Sequence, residues 1–524
     1  MMKMPKSFLV SISISSFVFL VTGSSLLNSC KNSSSASYKL TGNTIEDGQH
    51  LVQTYCTTCH ELVPANALTK DVWHYHILPD MSKFFGMGTY GTMYYKKDGD
   101  TTKMTLPEWS AIGAYYDKVA PLTLPAAKAP VPLLNDWAGF KLKTPAVKDT
   151  NDKFTSMVVG NPYNHKIYSS DLATRKLYEW DDQLRPKIIT ELPTEAVDGK
   201  FEKDSSGKIS GTFSCIGDVI ALGDFPNGRL INVDLSKDIG KQTTLATDLA
   251  RPLQSVSGDF NKDGLADWVV CGHGFTKGGV YLLTQKSDHT YTKTTLSDNP
   301  GSVQALTGDF DHDGWTDVMV LFGAGDEGLY LFSNNHKGGF NKKALLRFPP
   351  VYSSTSFQLA DINHDGEPDL IYTAGYNFRN SRILKPYHGL YIFLNEGNWK
   401  FKQRYFYPIN GCTKAIAADF DGDGDLDIAT CAFFADMKNN PAESFIYFEQ
   451  DGQLHFKPHA IPVSKYGRWM SMDVTDYNND GKPDIVLGNY SRGFMFQSGF
   501  EPAWDKKIPL VVLENQIPQK QSKP

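Results

Sequence analysis

Cys56-Thr57-Thr58-Cys59-His60 sets two thiols one helical turn apart, with an imidazole directly after the second. Thiols at that spacing reach the two vinyl groups of one porphyrin, and the adjacent His brings its ring under the iron. The pattern is that of covalent attachment of a single haem c. No second Cys/His pair at zinc spacing follows and no βαβ pattern surrounds the motif, which argues against a zinc half-site or a redox dithiol. The other axial ligand has to come from downstream. Met81, at the end of Trp73-His74-Tyr75-His76-Ile77-Leu78-Pro79-Asp80-Met81, is the expected one, and Met104 is its main alternative. Met87, Met93 and a bis-His arrangement through His74 or His76 stand behind them. A Met ligand raises the reduction potential and leaves no open iron position for a substrate.

A second chemistry recurs five times. The pattern D-x-[DN]-x-D-G-x-x-D begins at Asp259, Asp309, Asp361, Asp419 and Asp476, at spacings of 50, 52, 58 and 57 residues. Side chains at positions 1, 3 and 5 converge on one point, Gly at position 6 permits a sharp turn, and position 7 can offer its carbonyl. Hard oxygen donors so placed suit Ca²⁺, up to five ions in all. The expected ligands in the first two loops are Asp259, Asn261, Asp263, Leu265 and Asp267, then Asp309, Asp311, Asp313, Trp315 and Asp317. Asp361, Asn363, Asp365, Glu367 and Asp369 form the third set, and Asp419, Asp421, Asp423, Asp425 and Asp427 the fourth. Asp476, Asn478, Asp480, Lys482 and Asp484 complete the fifth. These loops hold 18 Asp among the protein's 58 acidic residues, so without cations they would repel one another. Apolar β-branched runs flank them, such as Val303 to Leu306 and Val318 to Leu321, so the loops join strands and are not EF-hands.

The elements around the first motif read as helices: 45–55, 71–85 and 105–120. The third opens with a capping box, Thr105-x-x-Glu108, presents Trp109, Ile112, Tyr116 and Val119 on one face, and stops at Pro121. Residues 45–121 resemble a monohaem cytochrome c domain, and the Trp73 to Met81 run is similar to a helix of compact cytochromes of dehydrogenase complexes, in which that Met is axial. Pro121, Pro125, Pro130, Pro132 and Pro145 then mark 122–150 as a semi-rigid spacer.

From 151 to 524 the chain is short strands and turns. Its acidic loops resemble the FG-GAP/VCBS repeats of integrin-type β-propellers. That resemblance implies four antiparallel strands per blade, calcium between strands 1 and 2, and seven blades as the usual number. Five blades carry the loops; two upstream lack them, one around Ser156 to Gly160 with Lys166-Ile-Tyr, one over Val219 to Gly228. The expected fold class is thus a small all-α cytochrome c-like domain followed by an all-β propeller.

Lys3 and Lys6 before an apolar run from Phe8 to Leu20 read as an export signal over 1–29. Leu27-Asn28-Ser29-Cys30 resembles a bacterial lipobox, which implies a diacylglycerol anchor on Cys30, a Ser-rich tether over 30–44 and a periplasmic or cell-surface location on a bacterial membrane. The net charge of −6 and the lack of a basic tract exclude a nucleic-acid footprint. Cys215, Cys271, Cys412 and Cys431 remain; Cys412 with Cys431, and Cys215 with Cys271, are candidate disulfides, and small buried hydrophobes are the alternative.

No nucleophile elbow, nucleotide loop or zinc-protease helix is present, so no catalytic residues are assigned. The expectation is an anchored electron-transfer protein whose partner is a redox protein or a small-molecule donor or acceptor. A dehydrogenase with a catalytic propeller, or a calcium-dependent adhesion or glycan-binding module, are the alternatives. Binding is expected on the propeller face opposite the calcium loops, around Arg251, His273, Arg468 and Trp469, with Asp326, Glu327, Tyr376 and Arg379 in its loops.

Overall fold

A computed structural model describes residues 38–91, 93–102, 104–146, 150–218, 225–237, 239–377, 383–493 and 500–520. Met1–Thr41 and Gly42–Pro524 are two separate units. The expected signal peptide, Cys30 and Arg379 lie outside the described residues, as does most of the tether. No helix of the described residues is long and apolar enough to cross a membrane.

The second unit opens with four short helices. Helix α1, Thr44–Tyr55, starts at Asn43, whose Oδ1 accepts the N–H groups of Ile45 and Glu46, and it buries Leu51 and Val52. The single helix expected over 71–85 is instead broken into α2, Lys70–Val72, a π turn over Trp73–Ile77, and α3, Leu78–Ser82. Pro79 is the cause. It has no N–H to return to the preceding turn, and Leu78 donates five residues back to the Trp73 carbonyl. Helix α4, Leu106–Val119, carries the expected capping box: Thr105 Oγ1 accepts the Glu108 N–H, and the Glu108 carboxylate accepts the Thr105 N–H at 2.7 Å. Trp109, Ile112 and Tyr116 are buried, whereas Val119, expected on the same face, is exposed. A hairpin of Met87–Tyr90 and Met93–Lys96, absent from the sequence reading, lies between α3 and α4.

Seven sheets follow, the blades of a seven-bladed β-propeller. Blades 1 and 2 begin with strands Thr155–Asn161 and Ala196–Lys203; blades 3 to 7 begin with Pro252–Gly258, Ser302–Gly308, Ser354–Ala360, Lys414–Ala418 and Trp469–Thr475. Every second strand in blades 3 to 7, such as Asp317–Phe322, is buried at each residue because neighbouring blades cover both of its faces. That explains the uninterrupted apolar runs. Fourth strands such as Phe340–Arg347 stand at the rim and carry polar residues. Neighbouring blades are also tied by side chains on their innermost strands: Gln254 accepts the Ala305 N–H, Gln304 the Phe357 N–H and Gln358 the Ala417 N–H.

Two expectations need correction. Residues 134–143 are not a spacer. Leu134–Asn135 adds a parallel fifth strand to blade 6, and Phe140–Lys143 pairs antiparallel with Leu510–Asn515 as the outer strand of blade 7. The second metal-free blade is not centred on 219–228. Its strands are Ala196–Lys203, Ile209–Cys215, Gly228–Asp234 and Gln242–Leu249, and 219–224 falls between the second and third, outside the described residues. Cys215, Cys271, Cys412 and Cys431 are all buried, unpaired thiols.

Candidate metal loops, haem motif and channel mouth

The five acidic loops each join strand 1 to strand 2 of a blade, so the antiparallel order places them on one face of the ring. Their backbones are nearly superposable in bonding. In four loops the position 1 carboxylate accepts the N–H groups of positions 5 and 6, as Asp309 does from Asp313 at 3.0 Å and Gly314 at 2.9 Å, whereas Asp419 accepts from Gly422 and Gly424. The position 5 carboxylate accepts from position 7, as Asp313 does from Trp315. The position 6 glycines have φ between 81° and 95°, the left-handed region that a Cβ disfavours. Position 4 is left-handed too, at Lys262, His312, His364, Gly422 and Asn479, a requirement the sequence reading did not see.

Position 9, expected as a ligand, also has a structural part. Asp267, Asp317, Asp369, Asp427 and Asp484 are fully buried at the start of strand 2. One oxygen of each accepts an N–H at the end of strand 3, as Asp317 Oδ1 does from Asn334 at 2.7 Å and Asp484 Oδ1 from Asn515 at 2.7 Å. These residues bolt the loop to its sheet. Burial pushes Asp427 and Asp484 up to about 7 and Asp369 up to about 6; N–H donors oppose the rise, and the neighbouring carboxylates add to it.

The donor set fits a hard cation. In the second, fourth and fifth loops, three carboxylate oxygens lie within 4.8 Å of one another: Asp309, Asp311 and Asp317; Asp419, Asp421 and Asp427; Asp476, Asp480 and Asp484. Asp484 Oδ2 is buried, with the Tyr477 N–H directed at its carboxyl as the equivalent N–H is in the other loops. In the first, third and fifth loops Asn261, Asn363 and Asn478 turn their amides onto the position 5 carboxylate. The fourth loop differs again. The Lys520 ammonium contacts Asp421 Oδ2 and lies 3.8 Å from Asp423 Oδ2 and 2.8 Å from Glu449 Oε1, so the chain lays a cation of its own on that loop.

The Cys56-x-x-Cys59-His60 motif sits at the end of α1. Cys56–Thr58 forms a 3₁₀ turn, with Cys56 half-buried and Cys59 exposed, and both thiols are unpaired. Burial, with Cys59 alongside, pushes the Cys56 thiol up to about 11. His60 Nδ1 lies 2.7 Å from the Glu61 carbonyl. A carbonyl only accepts, so Nδ1 is the donor there, and Nε2 is the nitrogen left over for a metal. A cavity of 480 Å³ between α1 and α4 is bounded by Gln49, His50, Val52, Gln53, Leu62 and Tyr116. Two thiols and an imidazole are the donor types that a covalently held porphyrin would need, but none of the three side chains lines that cavity. Met81 is half-buried in α3; Met87 and Met104 are fully buried and Met93 is exposed. His74 is engaged by Asp117 at 3.4 Å.

The motif is held against the propeller. Glu61, next to His60, pairs with Arg347 at 3.1 Å, and Tyr387 donates to the Ala67 carbonyl at 2.9 Å. Arg347 ends the fourth strand of blade 4 and Tyr387 lies between strands 2 and 3 of blade 5, so both are on the face opposite the acidic loops. On that face, aromatic rings follow one another where second strands end. Phe275, His273, Tyr376, Phe434, Phe433 and Tyr490 form a chain with successive centroids 4.9 to 6.5 Å apart.

Of the residues expected here, Arg251 lies over the Phe275 ring with Nε and Nη1 buried and unpartnered. Arg468 is buried, 3.7 Å above the Phe433 ring, and Nη2 has no partner. Trp469 is fully buried in the core between blades 6 and 7 and does not reach the mouth. Asp326 pairs with Arg347. Glu327 is buried, accepts the Ser353 and Ser354 N–H groups, and is pushed up to about 8 by burial.

The FG-GAP-like repeat family matches residues 259–320, 321–372 and 383–430. Integrin alpha-3 of Cricetulus griseus is 27% identical over 183 residues, covering 31% of this chain and 17% of the integrin. Integrin alpha-3 of Mus musculus is 24% identical over 180 residues, covering 31% and 16%. The chain therefore spans under a fifth of the length of these curated relatives. Among solved structures it is similar to virginiamycin B lyase from Staphylococcus aureus, with a TM-score of 0.44 and 11% identity over 72% of this chain and 99% of that one. It is also similar to an ancestral GH74 enzyme, with a TM-score of 0.44 and 9% identity over 70% and 48%.

Proposed function

We propose that the chain is an exported, lipid-anchored electron-transfer protein carrying one haem c, with a calcium-braced propeller that receives a redox partner or ligand. Cys56 and Cys59 would hold the haem, His60 would be one axial ligand and Met81 the other. Bound there, haem supplies reversible one-electron exchange. The observation that carries the reading is the His60 Nδ1 contact with the Glu61 carbonyl, which leaves Nε2 uncommitted in a motif whose two thiols are free. The Glu61–Arg347 pair supports a functional link, since it keeps the motif on the face that bears the aromatic chain.

The chain's own residues then have distinct tasks. Glu61 and Ala67 fix the motif to blades 4 and 5, the acidic loops brace the opposite face, and Arg251 and Arg468 offer donors toward a partner. The test is a redox titration of protein matured in a strain that attaches haem c. The expected result is one covalent haem, reduced or oxidised by small cytochromes and quinols without a further enzyme. A matured protein with no covalent haem would overturn the reading. Turnover of an added sugar or alcohol by the purified chain would favour the dehydrogenase alternative, and ligand binding without redox exchange the adhesion alternative.

A further inference from the structure

A second cavity lies between blades 5 and 6, away from both the acidic loops and the cavity beside Cys56. It measures 460 Å³, within the range of small-molecule sites. Leu124, Pro125, Ala127 and Leu133 of the segment before the propeller form its outer wall, and Tyr407 and Ile446 its inner one.

Its polar groups are divided by side. On the blade 6 side, Glu443 accepts N–H groups from Asp436 at 2.8 Å and Asn410 at 3.2 Å, and Asp436 accepts from Asn439. Those acids are satisfied, with lone pairs to spare. On the blade 5 side are Lys385 and His388, 3% and 1% exposed. His388 Nε2 is buried and has no hydrogen-bond partner. The Lys385 ammonium makes no hydrogen bond within the described residues, and the opposite charge that it feels there, Glu327, has its oxygens taken by Ser353 and Ser354. Burial holds Lys385 down to about 8 and keeps His388 neutral. A buried cation whose counter-charge is already hydrogen-bonded elsewhere is poorly compensated, and an anion supplied from outside removes that cost.

We propose that this cavity binds a small hydroxylated organic carboxylate, with its carboxylate on Lys385 and His388 and its hydroxyls on Glu443 and Asp436. The apolar walls cover the carbon chain. The site is independent of haem and calcium, so its test is independent of the function proposed above.

Isothermal titration of the full chain with gluconate, and with glucitol as its uncharged counterpart, is the experiment. Gluconate should bind saturably and glucitol roughly tenfold or more weakly, the weight of a charge-assisted hydrogen bond. Lys385→Met should cost gluconate a similar factor while leaving the β-sheet circular dichroism intact, since it removes an unpaired buried charge and keeps the stem. His388→Leu provides the same readout should Lys385→Met not fold. Equal affinity for both probes, no saturable heat with gluconate, or an unchanged gluconate dissociation constant in the folded variant would each overturn the proposal.

Discussion

Gln304 Oε1 accepts the Phe357 N–H at 2.9 Å while Gln304 Nε2 donates to the Phe357 carbonyl at 2.8 Å, so one side chain closes a two-bond ring across the junction of blades 4 and 5. Gln254 and Gln358 occupy the same register one blade earlier and one later. Backbone pairing ends within each blade, and these amides carry it on to the next around the channel. Gln304→Leu should therefore cost about 1–3 kcal/mol, because it strands an N–H and a C=O that water reaches poorly. Urea unfolding would measure this; a change below a few tenths of a kcal/mol would mean that apolar packing alone sets the junction.

Calcium binding should be unequal among the loops. Removing cations should lower the melting temperature, as clustered carboxylates lose their counter-charge. Calcium titration of the demetallated protein should show the fourth loop as the weakest, because Lys520 already lies on Asp421. Lys520→Ala should raise the affinity of that site alone. An unchanged titration curve would mean that the tail cation is displaced without cost.

Haem attachment should depend on the motif and the propeller should not. Cys56→Ser and Cys59→Ser should each abolish stable two-point attachment while leaving the β-sheet spectrum in place, since the seven sheets draw no strand from residues 44–121. Haem staining and circular dichroism on the same samples would decide it. Collapse of the sheet signal would show that the two regions fold as one.

Glu195 gives a stability profile with a definite sign. Burial pushes it up to about 7, against the pull of Arg251, from an ordinary value of 4.5. The folded protein therefore binds this proton more tightly than the unfolded chain. The contribution favours folding as pH falls through about 7 and is complete near 4.5; above 7 the buried charge exacts its full penalty, about 3 kcal/mol at most. Glu195→Gln should stabilise the protein at about pH 8 and change little at about pH 5. Equal melting shifts at both values would place the carboxylate in water.

The acidic loops were legible because their requirements are local: carboxylates at fixed offsets, and a glycine where φ is positive, all within nine residues. The thiols and imidazole of 56–60 were legible for the same reason. What failed was non-local or negative in character. Blade 2 has no metal loop to announce it, so its strands were displaced along the chain. The blade-to-blade glutamines look like any polar residue in a strand. Lys385 and His388 are unremarkable until folding brings them beside Glu443 and the 124–133 segment. Pro79 was visible, but a helical reading of its neighbours masked the π turn that it forces.

The strand Phe140–Lys143 was the hardest to see, and it is testable by a single ring. Phe140 is buried against Phe420 and Tyr447, with centroids 5.8 and 5.1 Å away. Phe140→Ala should cost about 3–5 kcal/mol. Thermal unfolding should register it as a loss for the whole propeller; a local change confined to residues 134–143 would show that the ring holds without its clasp.

That clasp also orders events in time. Lys143 pairs with Val512, about 370 residues later in the chain. During synthesis the outer strand of the last blade is among the first parts of the propeller made and the last to find its partner. Blades 1 to 5 can assemble as they emerge, each from contiguous chain, while this strand waits with its edge unpaired. Closure is then a slow, long-range step of high contact order, and until it occurs both ends of an open arc present bare strand edges. A nascent chain of this design is most exposed to aggregation just before it is finished.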